Sequence, residues 1–131
     1  MMTNDRLRKF ATDYAAAWCS GDPEAVVAFY AENASISVND EAPAPIGEVA
    51  HAFMRDFPDM VVTFDRLEPQ PDGTAFHWTL TGTNTGPGGT GNKVHISGYE
   101  LWKIDNDGLI AESKGSFDAT EYARQLGHSA D

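Results

Sequence analysis

A chain of 131 residues has the length of a single domain, and its 41% hydrophobic and 22% charged content fits an ordinary globular protein, not a disordered tail, a collagen-like repeat or a membrane protein. Nine Lys and Arg against 20 Asp and Glu give a formal charge of -11, which repels phosphate backbones and anionic lipid, so neither nucleic acid nor a membrane is an expected partner. The lone Cys19 rules out an internal disulfide and leaves no Cys cluster for zinc or iron–sulfur.

Met1-Met2-Thr3-Asn4-Asp5-Arg6 leads directly into a polar helical pattern without an apolar leader, and the expected location is the cytoplasm. From Thr3 to about Ser20 the apolar residues Leu7, Phe10, Ala11, Tyr14, Ala17 and Trp18 recur at spacings of three and four, which predicts an amphipathic helix stopped by Gly21. Asp22 before Pro23 is an N-cap, and Ala25, Val26, Phe29 and Tyr30 carry a second short helix to about Ala31. Ser35 to Val38 reads as a short strand, and 40–45 as an acidic loop. A third helix runs from about Gly47 to Phe57 and ends before Pro58.

Strands follow: Met60 to Leu67, Thr74 to Thr83, Val94 to Ile104 and Leu109 to Phe117, joined by turn clusters at 69–73 and 105–108 as an antiparallel meander. The glycine-rich connection 86–92 reads as a mobile hairpin tip. It lacks the GK[ST] ending and following helix of a phosphate loop. Asp118 caps a last helix, Ala119 to Leu126, closed by Gly127. No linker or repeat divides the chain, so residues 1–131 form one domain of α+β class, with helices on one face of a curved antiparallel sheet.

Alternation along the third long strand puts Val94, Ile96, Gly98, Glu100, Trp102 and Ile104 on the inner face. Glu100 is then a carboxylic acid among apolar side chains, which is where chemistry is sought first. A tight turn at 105–108 turns Leu109, Ala111, Ser113, Gly115 and Phe117 inward beside it, with Glu112 and Lys114 outward. His77 and His95 fall on the outer face. His51 on the third helix is placed near the mouth of the cavity, and Trp18, Trp78 and Trp102 are its wall or core by size. Cys19 has no His partner for nucleophilic chemistry, and no cluster suits a metal.

The stretches Tyr14-Ala15-Ala16-Ala17-Trp18-Cys19-Ser20-Gly21-Asp22-Pro23 and Phe29-Tyr30-Ala31-Glu32-Asn33-Ala34 resemble the opening of the nuclear-transport-factor-2-like superfamily. Phe57-Pro58-Asp59-Met60, the segment Trp78 to Gly86, Asp107-Gly108-Leu109-Ile110-Ala111-Glu112 and the passage from Phe117-Asp118 to Gln125-Leu126-Gly127 look like its SnoaL-like polyketide cyclase branch. The resemblance implies a cone-shaped curved sheet wrapped by helices around an apolar pocket, and a homodimer formed through the outer sheet face. It also implies a small hydrophobic ligand, polyketide- or steroid-like, and no cofactor.

Two positions are similar to the ketosteroid isomerases. Tyr14 falls where those enzymes keep the tyrosine that hydrogen-bonds the substrate oxyanion, and Glu100 where they keep a second, protonated acid. Their proton-shuttling aspartate falls on Val38, which cannot move a proton, and Asp40 is the candidate base if its loop turns inward. The acid/base aspartate of the cyclases falls on Gly115. Three functions stay open: cofactor-independent isomerisation or aldol-type cyclisation by Tyr14, Glu100 and Asp40; ligand binding without turnover; and water addition to an epoxide, for which Asp65 and Arg66 stand nearby. Trp18, Trp78, Trp102, Ser113 and His51 are the candidate pocket residues.

Overall fold

The computed structural model describes residues 3–127. Helix α1, Asn4–Trp18, begins at Thr3, whose hydroxyl accepts from the Arg6 N–H, and buries Ala11, Tyr14, Ala15, Ala17 and Trp18 on one face. Gly21 takes the left-handed conformation (φ 75°) that turns the chain into α2, Pro23–Val27, capped by Asp22.

The second helix is shorter than its apolar spacing predicts, and strand β1, Tyr30–Val38, starts five residues earlier than Ser35. Tyr30 pairs in parallel with Ile110, and the Phe29 carbonyl accepts from the Ile110 N–H at 2.9 Å. Sheet pairing therefore claims residues that local propensity assigns to a helix too short to persist alone. A register shift between Tyr30 and Ser35, with Asn33 at φ 63°, accommodates the join.

Two residues of β2, Ala44–Pro45, lead into α3, Ile46–Asp56, after which Phe57 buries itself and Pro58 prevents continuation. Strands β3, Val61–Gln70, β4, Gly73–Thr83, β5, Lys93–Ile104, and β6, Ile110–Phe117, form the expected meander. The sheet order is β2-β1-β6-β5-β4-β3, with β1 parallel to β6. Strand β3 lies at the edge of the sheet, which is why it continues through Pro69. Helix α4, Ala119–Leu126, is capped by Asp118 and closed by left-handed Gly127, as its cap residues predict.

The 86–92 connection is tied down, contrary to the free tip that its glycines suggest. Asn84, itself buried, accepts from the Thr90 N–H at 2.8 Å and donates to the Asp56 carbonyl. The curved sheet remains unclosed, and the helices pack against it around a core that includes Tyr14, Tyr30, Phe57, Phe76 and Trp102.

Candidate functional site

The inner face of β5 follows the alternation: Val94, Ile96, Glu100 and Trp102 are buried. The inner face of β6 does not follow it throughout. Lys103 pairs with Glu112 but Ile104 with Ile110, so Ala111 is an extra residue, and this bulge flips the strand beyond it. Ile110 is fully buried while Ala111 is exposed, which corrects the inward placement of Leu109 and Ala111. Ser113, Gly115 and Phe117, on the near side of the bulge, keep it.

Glu100 is 6% exposed, and four donor groups surround its Oε1. The Tyr14 hydroxyl lies at 2.9 Å, the Tyr30 hydroxyl at 3.3 Å, the Trp102 indole N–H at 3.0 Å and the Ser113 hydroxyl at 2.8 Å. The two tyrosine hydroxyls lie 2.8 Å apart, and each has a single proton, so when they bond to each other one of them gives up its donation to Oε1, which then accepts from three donors. These donors come from α1, β1, β5 itself and β6, so the elements of the cone meet at one oxygen. Among the described residues Oε2 has no hydrogen-bond partner, and Glu100 faces a cavity.

Burial raises the pKa of Glu100 from its ordinary 4.5, against the opposing pull of the Trp102, Ser113, Tyr14 and Tyr30 hydrogen bonds. Tyr14 and Tyr30 are held well above 10, first by burial and then by the neighbouring Glu100 charge, so both stay neutral donors.

The cavity has a volume of about 60 Å3. Trp18 of α1, Val49 and Phe53 of α3, Ile36 and Val38 of β1, and Trp78, Leu80, Ile96 and Phe117 of the later strands and their flanks line it, with Val62 and Gly115. Glu100 is the single ionisable side chain in this wall. The space beside Glu100 is therefore compact and almost wholly apolar.

The candidates therefore separate by position. Trp18 and Trp78 line the cavity; Tyr14, Trp102 and Ser113 stand behind Glu100, and their polar atoms serve its carboxyl. Asp40 is exposed at φ 64° in a turn held to β6 by Asn39, whose backbone N–H donates to the Gly115 carbonyl and whose Oδ1 accepts from the Phe117 N–H, and it does not line the cavity. His51 is exposed on α3, on a different face from Val49 and Phe53. Asp65 bonds Thr63 and Thr79, and Arg66 pairs with Glu68, on exposed surface away from the cavity. The donor that the apolar spacing conceals is Tyr30, which that spacing places in α2 and the fold places at the start of β1. The "YAENA" stretch that contains it was the available signal.

A curved sheet wrapped by helices, mixed and not antiparallel throughout because β1 runs parallel to β6, with an apolar cavity holding one buried carboxyl, defines a class of small cone-shaped α+β proteins. Within that class this chain belongs to the SnoaL-like domain family, whose model matches residues 11–113. Among curated proteins none matches the sequence. The chain is similar in structure to TsrD from Streptomyces laurentii, with a TM-score of 0.81 at 18% identity over 98% of this chain and 100% of that one. It is similar to PrhC from Penicillium brasilianum, at 0.80 and 15% identity over 97% and 89%. A protein of ketosteroid isomerase-like fold from Catenulispora acidiphila, solved in complex with trimethylamine, matches at 0.78 and 16% identity over 94% and 95%. At these identities the likeness is one of fold. No helix among the described residues is long and apolar enough to cross a membrane.

Proposed function

We propose that this chain binds a compact, largely apolar ligand and that Glu100 is the acid–base group of its cavity, serving cofactor-independent proton transfer on a small carbonyl compound. The observation that carries the reading is the asymmetry of one carboxyl: the tyrosine, Trp102 and Ser113 donors all gather on Oε1, and Oε2 has no partner among the described residues. Neutral Glu100, favoured by burial, offers its Oε2 proton to a ligand oxygen; ionised, the same atom accepts a proton from carbon. Tyr14 acts through Glu100 as a positioning residue and not as a donor to the ligand. The base that seemed missing between Val38 and Asp40 is supplied by Glu100 itself.

A cavity of about 60 Å3 suits a compact substrate better than a steroid or a polycyclic polyketide. Cyclopentanone in heavy water provides the test. Wild type is expected to exchange its α-hydrogens for deuterium faster than buffer does, and Glu100→Gln to lose this by about a hundredfold. Equal rates in wild type and Glu100→Gln sink the reading.

Binding without turnover is the second reading. It is favoured by the cavity's single ionisable side chain and by the trimethylamine held by the Catenulispora acidiphila neighbour, a ligand of comparable size. In either case a second copy of the chain is the proposed partner for the outer sheet face, where Tyr99 and Val61 are exposed at 42% and 47%. Sedimentation of Tyr99→Lys tests it, with a monomer expected.

A further inference from the structure

Two edge-to-face aromatic pairs stand in the cavity wall around Glu100. Trp18 and Phe53 meet at 6.2 Å between ring centroids and 79°, Trp78 and Phe117 at 6.1 Å and 65°. Aromatic faces carry the negative end of the ring quadrupole and attract organic cations. When Glu100 ionises, its protein donors are gathered on Oε1, Oε2 has no hydrogen-bond partner among the described residues, and no cationic side chain lines the wall. A proton neutralises it in one way and a bound cation in another.

The wall selects the kind of cation. A metal ion or a primary ammonium needs several oxygen partners in place of its water, and Glu100 is the one ionisable group that this apolar wall provides. A tertiary or quaternary alkylammonium is weakly hydrated, presents methyl groups to Ile36, Leu80 and Ile96, and needs one anionic partner. The formal charge of -11 further concentrates cations around the molecule.

From these contacts we infer that the cavity takes small tertiary or quaternary alkylammonium ions, which displace the proton of Glu100 at Oε2. The inference rests on the compact-ligand reading of the same cavity. Entry of the cation sends the carboxyl proton to solvent, and no other bond is made or broken. The titratable groups that meet Glu100 are Tyr14 from α1 and Tyr30 from β1; both remain neutral, and Trp102 and Ser113 do not titrate, so Glu100 alone sets the pH dependence.

Tetramethylammonium is the probe, and tert-butyl alcohol, with equally many non-hydrogen atoms, is its neutral control. In the full chain the indole N–H resonances of Trp18 and Trp78 follow occupancy. Tetramethylammonium is expected to bind saturably, its affinity rising about tenfold per pH unit while Glu100 is protonated and levelling off above. Glu100→Gln is expected to weaken it by about tenfold or more and to remove the pH dependence, while tert-butyl alcohol changes by less than about threefold. No saturable shift with tetramethylammonium, or equal affinity in Glu100→Gln, overturns the inference. If the alcohol binds and the cation does not, the inference falls alone and the compact-ligand reading stands; if neither binds, both fall.

Discussion

The Tyr14 hydroxyl donates to Glu100 Oε1 at 2.9 Å, joining the first helix to the fifth strand in a buried contact. Tyr14 also packs edge-on against Trp102 at 5.2 Å and Phe76 at 5.3 Å, and those two rings stack at 4.8 Å. The narrow end of the cone is thus filled with aromatic side chains, and the hydroxyl is the polar tip that this packing aims at the carboxyl.

Tyr14→Phe keeps the ring packing and removes one of the donors to Oε1. It is expected to lower stability by about 1–2 kcal/mol, the cost of losing a buried hydrogen bond while Tyr30, Trp102 and Ser113 still serve the acceptor. Because the Tyr14 bond holds the Glu100 pKa down, its loss moves that pKa further up. Urea denaturation reads the first effect, and a carboxyl-carbon NMR titration of Glu100 the second.

The raised pKa of Glu100 also fixes how stability depends on pH. The folded state holds this proton more tightly than the unfolded chain, so the contribution is complete below the ordinary value of 4.5 and is lost as pH rises through the folded value. Glu100→Gln cannot titrate. The stability of wild type relative to Glu100→Gln is therefore expected to be greatest in acid and to fall from about pH 4.5 upward, measured as the difference in denaturation midpoints across pH. A difference that grows with pH contradicts burial as the dominant cause.

The parts of the fold written in local chemistry were legible in the sequence. Asp22 before Pro23, Asp118 before α4 and the glycines at 21 and 127 mark helix ends with their own side chains or backbone freedom, and the period of two along β5 singles out Glu100. What escaped depends on long-range pairing. Tyr30 joins the site because β1 lies parallel to β6, and Leu109 and Ala111 leave it because of a one-residue bulge; neither leaves a mark in the spacing of apolar residues. The turn that keeps Asp40 outside is likewise fixed by Asn39 bonding to β6, a partner far along the chain.

Asp40 gives a clean negative control. Its side chain is exposed and outside the cavity, so Asp40→Asn is expected to leave both ligand binding and α-hydrogen exchange within about twofold of wild type. A large loss of exchange with binding intact would mean that Asp40 supplies the proton acceptor in place of Glu100.

Two glycines facing the interior should respond in opposite ways to the same added methyl group. At Gly98 a Cβ would strike the Ser116 carbonyl oxygen and come within 2.7 Å of the Trp78 ring, which packs directly over the glycine. The backbone oxygen cannot yield, so Gly98→Ala is expected to cost about 1–3 kcal/mol and to displace Trp78 from the cavity wall. At Gly115 the nearest atoms are the Ser37 carbonyl oxygen at 3.7 Å and Glu100 Cγ and Ile36 Cδ1 at 3.9 Å, ordinary contact distances. Gly115→Ala therefore fits, and by restricting the unfolded chain it is expected to leave stability unchanged or raise it by about 0.5–1 kcal/mol. Its methyl group enters the cavity of about 60 Å3 directly beside Glu100. Weaker binding of the largest ligand that wild type accepts, in a protein that melts no lower, is the expected pair of results. A cavity that closes or empties in some other way would lower both together, so calorimetry and ligand titration on the same Gly115→Ala sample decide between them.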